Sequence, residues 1–172
     1  ILELTFISSP DPGVTPPAPH FTAKSAYQVT VDDKPVAVSA IGFKRRPIYA
    51  PLRQRDLRVG NWLYLELAEP LASDRAQTVK VKTTAKMPCA ADTEFSAVSD
   101  PLRISPVLHV NQEGYTPGLP KTAMVGYYLG NFGELRVPQS EFTLRDVRSG
   151  ETVFRGQLRA RRDVGYNYFP IP

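Results

Sequence analysis

The sequence predicts an all-β protein built from two tandem β-sandwich modules, and three observations support this fold class. Seventeen prolines and eleven glycines punctuate the 172 residues from end to end. No window of ten or more residues carries a helical apolar period with capping residues at its ends. Short alternating runs recur between turn signals instead, which is typical of sandwiches of short strands. A chain of this length allows one large domain or two small ones.

Six segments before residue 85 predict strands. They are 2–7, 27–31, 36–43, 57–59, 62–67 and 78–84. The segment 8–19 is rich in Pro, Ser and Gly and predicts a loop. The segment 32–35 begins with two aspartates and predicts a turn, because such pairs at a hairpin tip are far more often turn residues than an acid–base pair. Gly60-Asn61 predicts a second hairpin turn.

The segment 107–120 predicts a strand that runs into a tight corner. An apolar run leads into Asn-Gln-Glu-Gly-Tyr, in which Gly114 can adopt a positive φ that residues with a Cβ atom resist. Pro117 and Pro120 cannot donate to a sheet ladder, so we expect the strand to end before them.

Polar and aromatic side chains are predicted to brace this corner. Asn111 and Gln112 can hydrogen-bond the backbone of the turn. We expect Tyr115 to pack its ring and to tie its hydroxyl to the backbone, as tyrosines at sandwich corners do. We favour this bracing role over a catalytic one.

A second block, residues 142–158, predicts a β-hairpin. Phe142 and Leu144 occupy alternating apolar positions, and Ser149-Gly150 is a turn signal. The return strand carries further apolar residues. Nothing in this block forms a catalytic arrangement.

Together these blocks resemble, in the same order, the immunoglobulin-like module that precedes the catalytic domain in family 9 glycoside hydrolases, the cellulases and their relatives. The first block spans 110–117 and the second 142–158, and residues 120–125 between them also fit the family pattern. The resemblance covers the chain from about Pro106 to the end. Glu113 stands where the family often has an apolar residue, which implies that this position faces solvent.

The resemblance implies the non-catalytic N-terminal accessory region of a secreted polysaccharide-degrading hydrolase of the endo-β-1,4-glucanase type. In that family the module supports a helical catalytic domain, which holds the two carboxyl groups that hydrolysis needs. No catalytic residue is therefore expected in this chain. The matching positions imply structural roles alone, for Asn111, Gln112, Gly114, Tyr115, Phe142, Leu144, Asp146, Gly150 and Gly156.

A boundary between the two modules is predicted near residue 104. Residues 85–106 are less regular than the rest and contain several prolines, which is typical of a linker. We assign residues 1–103 to an N-terminal β-sandwich module of unassigned family and residues 104–172 to the immunoglobulin-like module. The second module is shorter than the about 100 residues of a complete immunoglobulin-like sandwich. It is therefore predicted to be an incomplete part of a longer protein.

The strand at 62–67 supports a different function, that of a carbohydrate-binding module. Its alternation places Trp62, Tyr64 and Glu66 on one face, where residues two apart are ~6.5–7 Å from each other. Aromatic rings in that arrangement can stack on pyranose rings, and a carboxylate can accept hydrogen bonds from sugar hydroxyls. The alternative, which we favour, is that Trp62 and Tyr64 are buried where the two modules meet.

Weaker candidates for a sugar site are Tyr49, Tyr127, Tyr128, Tyr166 and Tyr168.

A third possible function is that of a structural or adhesive surface spacer without a role in sugar binding. A sandwich fold does not fix function, so the fold is compatible with this alternative as well. The expected partners are a downstream catalytic domain of the same protein and β-glucan polysaccharide.

The charge pattern argues against nucleic-acid and membrane partners. The net charge of +4 comes from 21 basic and 17 acidic residues. Basic clusters lie on separate segments, at 44–46, 53–58 and 159–162, without a nucleic-acid-binding motif, which favours a solvated surface. No apolar run is long enough to span a membrane. The family resemblance implies a secreted or periplasmic protein.

Neither a metal site nor a cofactor site is predicted. The single cysteine, Cys89, excludes an intrachain disulfide and is interpreted as a small buried apolar residue. His20 and His109 have no recognisable partner, and the spacing typical of metal ligands is absent. A Cys–His catalytic pair stays open as an alternative.

Overall fold

A computed structural model describes residues 1–8, 18–48, 58–84 and 91–161. The chain divides into two compact units, Ile1–Leu135 and Arg136–Pro172. The described residues are mostly β, with several antiparallel sheets and one short α-helix, so the predicted all-β class is confirmed. The predictions for Cys89, Tyr49, Tyr166, Tyr168 and the basic cluster at 53–58 lie wholly or largely outside the described residues. The boundary between 103 and 104 stays a prediction.

The first unit contains two main antiparallel sheets. Its elements are β1 (Leu2–Ser8), α1 (Ala18–Thr22), β2 (Tyr27–Val31), β3 (Lys34–Val36), β4 (Val38–Pro47), β5 (Val59–Leu67), β6 (Gln77–Thr83), β7 (Glu94–Ser99), β8 (Leu108–His109) and β9 (Met124–Val125). The first sheet has the order β1-β5-β4, and the second has the order β3-β2-β6-β7. Strands β8 and β9 form a separate two-stranded ladder. Two 3₁₀ turns, Lys24–Ala26 and Gly130–Phe132, complete the unit.

The core of the first unit is built from the alternating apolar residues that the sequence pattern predicts for its strands. Buried members of this core are Leu4, Phe6, Val29, Val31, Leu63, Leu65, Val79 and Val81, joined by Phe21 from α1. Leu63 and Leu65 on the central strand β5 are fully buried. Burial of one such side chain contributes roughly 1.5–3 kcal/mol to stability, so these two positions anchor the first sheet on the core.

The chain changes sheets between β3 and β4, which differs from the single strand predicted at 36–43. Val36 pairs with Val29 in the second sheet, whereas Val38 pairs with Leu67 in the first. A register shift follows directly after Val38. The alternation of side chains continues through this crossing, so the sequence pattern cannot reveal that hydrogen bonding passes from one sheet to the other.

The predicted aspartate turn between β2 and β3 is present at Asp32 and Asp33, with positive φ angles of 50° and 61°. Two consecutive positive φ angles suit the twist of a tight hairpin. The Asp32 carboxylate accepts hydrogen bonds from the backbone N–H of Thr78 (2.9 Å) and from the Gln77 side chain (3.1 Å). These bonds, that of Thr78 first, lower the pKa of Asp32. The residue braces the turn.

The hairpin turn predicted at Gly60-Asn61 is wrong, since both residues lie inside β5. Asn61 is fully buried. Its amide nitrogen donates to the Ser8 hydroxyl (2.6 Å) and to the Phe6 carbonyl (3.2 Å), and its amide oxygen accepts from Arg45 Nε (2.6 Å). Long-range partners therefore satisfy the asparagine, and they outweigh the local preference of this dipeptide for a turn.

Strand β7 and helix α1 were not predicted. Strand β7 forms one edge of the second sheet, and Phe95 is its residue that packs against the core. Most of its other residues are exposed, so the strand lacks the apolar alternation that would indicate it. Helix α1 has five residues and begins at the end of the segment predicted as a loop. Such a helix is too short to produce a readable helical period.

The corner after β8 is braced by hydrogen bonds of the kind expected from the sequence. Gly114 has a φ of +94°. The backbone N–H of Glu113 donates to the Asn111 side-chain oxygen (3.1 Å). The Tyr115 hydroxyl accepts from the backbone N–H of Asn111 (3.1 Å) and donates to the Thr122 carbonyl. Glu113 itself is exposed.

The second unit is described as a hairpin of β10 (Glu141–Arg145) and β11 (Thr152–Gln157). The prediction of a hairpin at 142–158 is confirmed. Phe142 lies opposite Gly156, and a Cβ atom at Gly156 would come within 2.6 Å of the Phe142 ring. The glycine therefore makes room for the aromatic ring on the opposite strand.

Asp146 organises the turn of this hairpin. Its carboxylate accepts hydrogen bonds from the backbone N–H groups of Arg148 (2.8 Å) and Ser149 (2.9 Å). These bonds, that of Ser149 first, lower the pKa of Asp146. Gly150 closes the turn with a φ of +71°. Aspartate and asparagine commonly stabilise turns in this manner, by side-chain hydrogen bonds to the backbone of the following residues.

We expect Gly114→Val to destabilise the first unit by about 1–3 kcal/mol, because a β-branched residue is strained at a positive φ. Gly126→Val is the matched control, since an added Cβ meets open space at both positions and Gly126 lacks the positive φ. Thermal unfolding followed by circular dichroism measures both variants. Equal melting temperatures would contradict the conformational role of Gly114.

We expect Asn61→Ala to lower the free energy of unfolding by at least about 2 kcal/mol, because it leaves the buried partners of the amide unsatisfied. Chemical denaturation of the variant measures this loss. The control is Gln28→Ala on the exposed face of β2, which should change stability little. A loss for Asn61→Ala no larger than that of the control would contradict the assignment of Asn61 to the core.

Candidate functional site

The outer face of the first sheet carries the aromatic residues that the sequence proposes for sugar binding. Because Leu63 and Leu65 point into the core, Trp62, Tyr64 and Glu66 point to the opposite side of β5. These residues have neighbours on both flanking strands. Thr5 and Lys44 pair with Trp62, and Glu3 and Gly42 pair with Tyr64.

The three proposed sugar-binding residues do not form one open platform. Tyr64 is fully buried, Trp62 is half-buried and Glu66 is exposed. A sugar ring can stack only on an aromatic face that solvent can reach, so Tyr64 has no surface to offer in this structure. The role of the set in sugar binding stays a prediction, and only Trp62 and Glu66 retain accessible surface for it.

Tyr64 is covered by a compact loop of residues 127–135, which we call the clasp. The backbone N–H of Leu135 donates to the Tyr127 carbonyl (2.7 Å), and that of Leu129 donates to the Gly133 carbonyl (2.8 Å). These bonds close a small hairpin around the 3₁₀ turn at Gly130–Phe132. Leu129 is buried, so the clasp contributes an apolar side chain to the interior as well as covering the sheet.

The clasp is fixed to strand β4, which is an edge of the first sheet. The side-chain oxygen of Asn131 accepts a hydrogen bond from the backbone N–H of Phe43 (2.8 Å). This bond satisfies a donor that an edge strand would otherwise present to solvent. The Asn131 side chain thus provides the hydrogen bond that a neighbouring strand would otherwise make to β4.

Two glycines allow the clasp and β4 to approach this closely. Gly130 has a φ of +64°, and a Cβ atom there would collide with the Phe43 carbonyl. A Cβ atom at Gly42 would lie 2.7 Å from the Phe132 ring and 2.9 Å from the Leu129 carbonyl oxygen. Any larger residue at either position must push the clasp away from the sheet.

Tyr127 joins the clasp to the aromatic face. Its ring meets the Tyr64 ring edge to face, with centroids 6.2 Å apart and an interplanar angle of 83°. Its hydroxyl donates a hydrogen bond to the Glu3 carboxylate (2.6 Å). Burial, followed by this bond to Glu3, raises the pKa of Tyr127 to about 12. The contact therefore depends on the neutral, protonated form of the Tyr127 hydroxyl.

The Tyr64 hydroxyl is buried beside Tyr127 and Lys44. Among the described residues it has no hydrogen-bond partner of normal geometry. Burial raises the pKa of Tyr64, and the nearby Lys44 ammonium opposes that rise. The Lys44 Nζ atom lies 5.7 Å from the centre of the Tyr64 ring.

Trp62 lies beyond the clasp, between two cationic side chains. The Lys44 Nζ atom is 5.1 Å, and the Arg46 Cζ atom 4.8 Å, from the centre of its ring. Both distances are within the range of cation–π attraction. The indole extends over Gly60, in space that a Cβ atom at that position would occupy.

The described residues of this face suit packing and binding rather than acid–base chemistry. Glu3, the carboxylate next to Tyr64, is engaged by Tyr127. Nowhere in the part of the chain that the structure describes do three or more His, Cys, Asp or Glu residues gather in a way that could hold a metal ion. No helix in the described ranges is long and apolar enough to cross a membrane.

Sequence reasoning found the aromatic face but missed most of the clasp. Tyr127 was considered only as a weak sugar-binding candidate, and the neighbouring Tyr128 is exposed. Gly130-Asn131 is a dipeptide typical of turns and could have indicated the loop. The hydrogen bond between the clasp and β4 joins Asn131 to Phe43, which are 88 positions apart in the chain. No local sequence pattern predicts such a contact.

Comparison with known protein families identifies the C-terminal part of the chain. Residues 104–168 match the family model described as the cellulase N-terminal ig-like domain. This domain is typical of family 9 cellulases, as the resemblance of 110–117 and 142–158 predicts. No curated protein and no solved structure shows a significant match to the chain. The clasp lies within the matched segment, whereas the strands that it contacts precede that segment.

We expect the contribution of Tyr127 to stability to disappear between pH 10 and pH 12. An unfolded tyrosine titrates near pH ~10, and the raised pKa means that the folded chain prefers the protonated hydroxyl. The native protein should therefore exceed Tyr127→Phe in free energy of unfolding by a constant amount below pH 10. That difference should shrink as the pH rises to about 12.

Denaturant unfolding of both proteins at several pH values between 8 and 12 measures this difference. Comparing the two removes the titration of lysines, which both share. Tyr128→Phe is the matched control, because Tyr128 is an adjacent tyrosine with an exposed side chain. A pH-independent difference for Tyr127→Phe would contradict the hydrogen bond to Glu3.

Proposed function

We propose that this chain is the non-catalytic N-terminal accessory region of a polysaccharide-degrading glycoside hydrolase of the cellulase type. The match of residues 104–168 to the cellulase N-terminal ig-like domain carries this proposal. Domains of this family accompany a family 9 catalytic domain, so a catalytic domain of the same protein is the proposed partner. The proposed substrate of that partner is a β-1,4-glucan, and the proposed location is outside the cytoplasm.

Within this function, the N-terminal sheets serve as a support for the part of the matched segment that lies in the first unit, residues 104–135. The clasp supports this idea because it attaches the start of the matched segment to the first sheet by specific bonds. One links Tyr127 to Glu3 (2.6 Å), and another links Asn131 to the Phe43 backbone (2.8 Å). A short, multiply bonded contact restricts relative motion more than a flexible tether does. Within the first unit, the predicted boundary near residue 104 would then separate two sequence families and not two freely moving bodies.

The chain by itself is proposed to lack hydrolytic activity. Inverting hydrolysis needs two carboxyl groups about 6.5–9.5 Å apart on opposite sides of the bond that is cleaved. Three described acidic residues have structural roles: Asp32 and Asp146 brace turns, and Glu3 binds Tyr127. Hydrogen bonds lower the pKa values of Asp32 and Asp146, whereas a general acid requires a raised pKa.

Isolation of the native protein with an antibody raised against this chain tests the proposal. We expect the antibody to retain a polypeptide larger than 19.1 kDa that releases reducing ends from soluble β-1,4-glucan, whereas the purified chain releases none. Pre-incubating the antibody with the purified chain provides the control and should abolish recovery of the activity. Recovery of an inactive polypeptide would contradict the proposal and favour the structural spacer.

A further inference from the structure

We propose that Trp62, Lys44 and Arg46 form a binding site for an acidic sugar unit of a polysaccharide, such as a uronate. The site occupies the part of the first sheet that the clasp leaves uncovered. The choice of a sugar rather than another anion rests on the proposed function. The geometry and the charge of the site rest on separate observations.

The first observation is the position of the indole. Trp62 is the only tryptophan of the chain and is half-buried at the surface of the central strand β5. Its benzene ring lies over Gly60, where any side chain would displace it. The backbone thus supports the ring on one side. The Lys44 and Arg46 cations lie over this ring, so a pyranose stacks on it when its own carboxylate draws these side chains away from the ring face.

The second observation is the charge around the ring. Lys44 and Arg46 are two residues apart on β4, so their side chains leave the sheet on the same side, ~6.5–7 Å apart at the backbone. Both lie within 5.1 Å of the ring centre. In the described ranges, neither forms a salt bridge. The ion pairs found there are Arg75–Asp32, Lys80–Asp33 and Lys82–Asp92.

These two observations define the chemistry of the occupant. Two neighbouring cations repel each other, and a carboxylate between them would remove that repulsion and form charge-assisted hydrogen bonds. Glu3, a carboxylate on this face, is held by Tyr127. A ligand with a saturated ring and a carboxylate can contact the indole with its ring and bind both cations with its carboxylate.

The surroundings favour a unit of a polymer over a small buried ligand. Thr5 pairs with Trp62, and Ile7 pairs with Gly60, so both border the site on β1. Thr5 is exposed, and Ile7 keeps 59 % of its surface accessible. Within the described ranges, the site is therefore open along β1, and no wall on that side excludes neighbouring sugar units.

Tryptophan fluorescence measures binding directly, because Trp62 is the sole tryptophan. We expect oligogalacturonate to change the emission of the intact chain saturably, with an affinity at least about tenfold above that for cello-oligosaccharide of equal length. The double variant Lys44→Ala/Arg46→Ala should weaken this binding tenfold or more, because it removes both cations and their charge-assisted hydrogen bonds to the carboxylate. Calorimetry on Trp62→Ala should show a comparable loss.

Lys80→Ala/Lys82→Ala is the matched control. These lysines are also two apart on one strand, and the variant removes the same charge from the second sheet, where no tryptophan stands beside them. It should bind as the native chain does, and circular dichroism verifies that every variant is folded. Equal weakening by both double variants would overturn the site in favour of general attraction to a cationic surface.

Three other outcomes would also overturn the proposal. Absence of any saturable change with oligogalacturonate would exclude the site. Equal affinity for cello-oligosaccharide would indicate a neutral-sugar site, and saturation by inorganic phosphate at the same concentration would indicate a site for simple anions. Hydrolase activity of the antibody-purified protein does not depend on any of these results, so the two proposals can fail separately.

Discussion

Burial of the central strand β5 on both of its faces is the constraint on which the rest of the first unit depends. Leu63 and Leu65 fill the core on one side, while the clasp covers Tyr64 on the other. A polar group in a strand buried on both faces needs a hydrogen-bond partner, which the Tyr64 hydroxyl lacks among the described residues. Asn61 meets this requirement at the end of the strand by bonding to β1 and to Arg45. The register of the first sheet is thereby fixed at both flanking strands.

The clasp turns an exposed sheet edge into an internal contact. Strand β4 would present unpaired backbone donors, which invite association with other chains. Asn131 takes up one of these donors, and Gly42 together with Gly130 lets the two backbones approach. Because the clasp lies within the segment that matches the cellulase N-terminal ig-like domain, this contact joins the N-terminal sheets to the part of that segment in the first unit. Protection of the edge and attachment of the segment are achieved by the same few residues.

The outer face of the first sheet therefore serves two purposes along one strand. The half around Tyr64 is closed and contributes to stability. The half around Trp62 stays accessible and carries two cations without a carboxylate partner among the described residues. In the proposed accessory region, a contact of Trp62 with acidic polysaccharide would add a second attachment point, and such a second contact raises the effective concentration of any domain linked to it.

The sequence by itself determined the all-β class, most strands of the first unit, the glycine corner at Gly114 and the hairpin turned by Asp146. These features follow from local alternation and from turn residues with special φ angles, which act over a few positions. Tertiary structure alone decided that Gly60-Asn61 lies within a strand, that the chain changes sheets after Val36, and that Tyr64 is covered while Trp62 is not. The physical reason is that each of these outcomes depends on partners distant in the chain, whose contacts outweigh local preference.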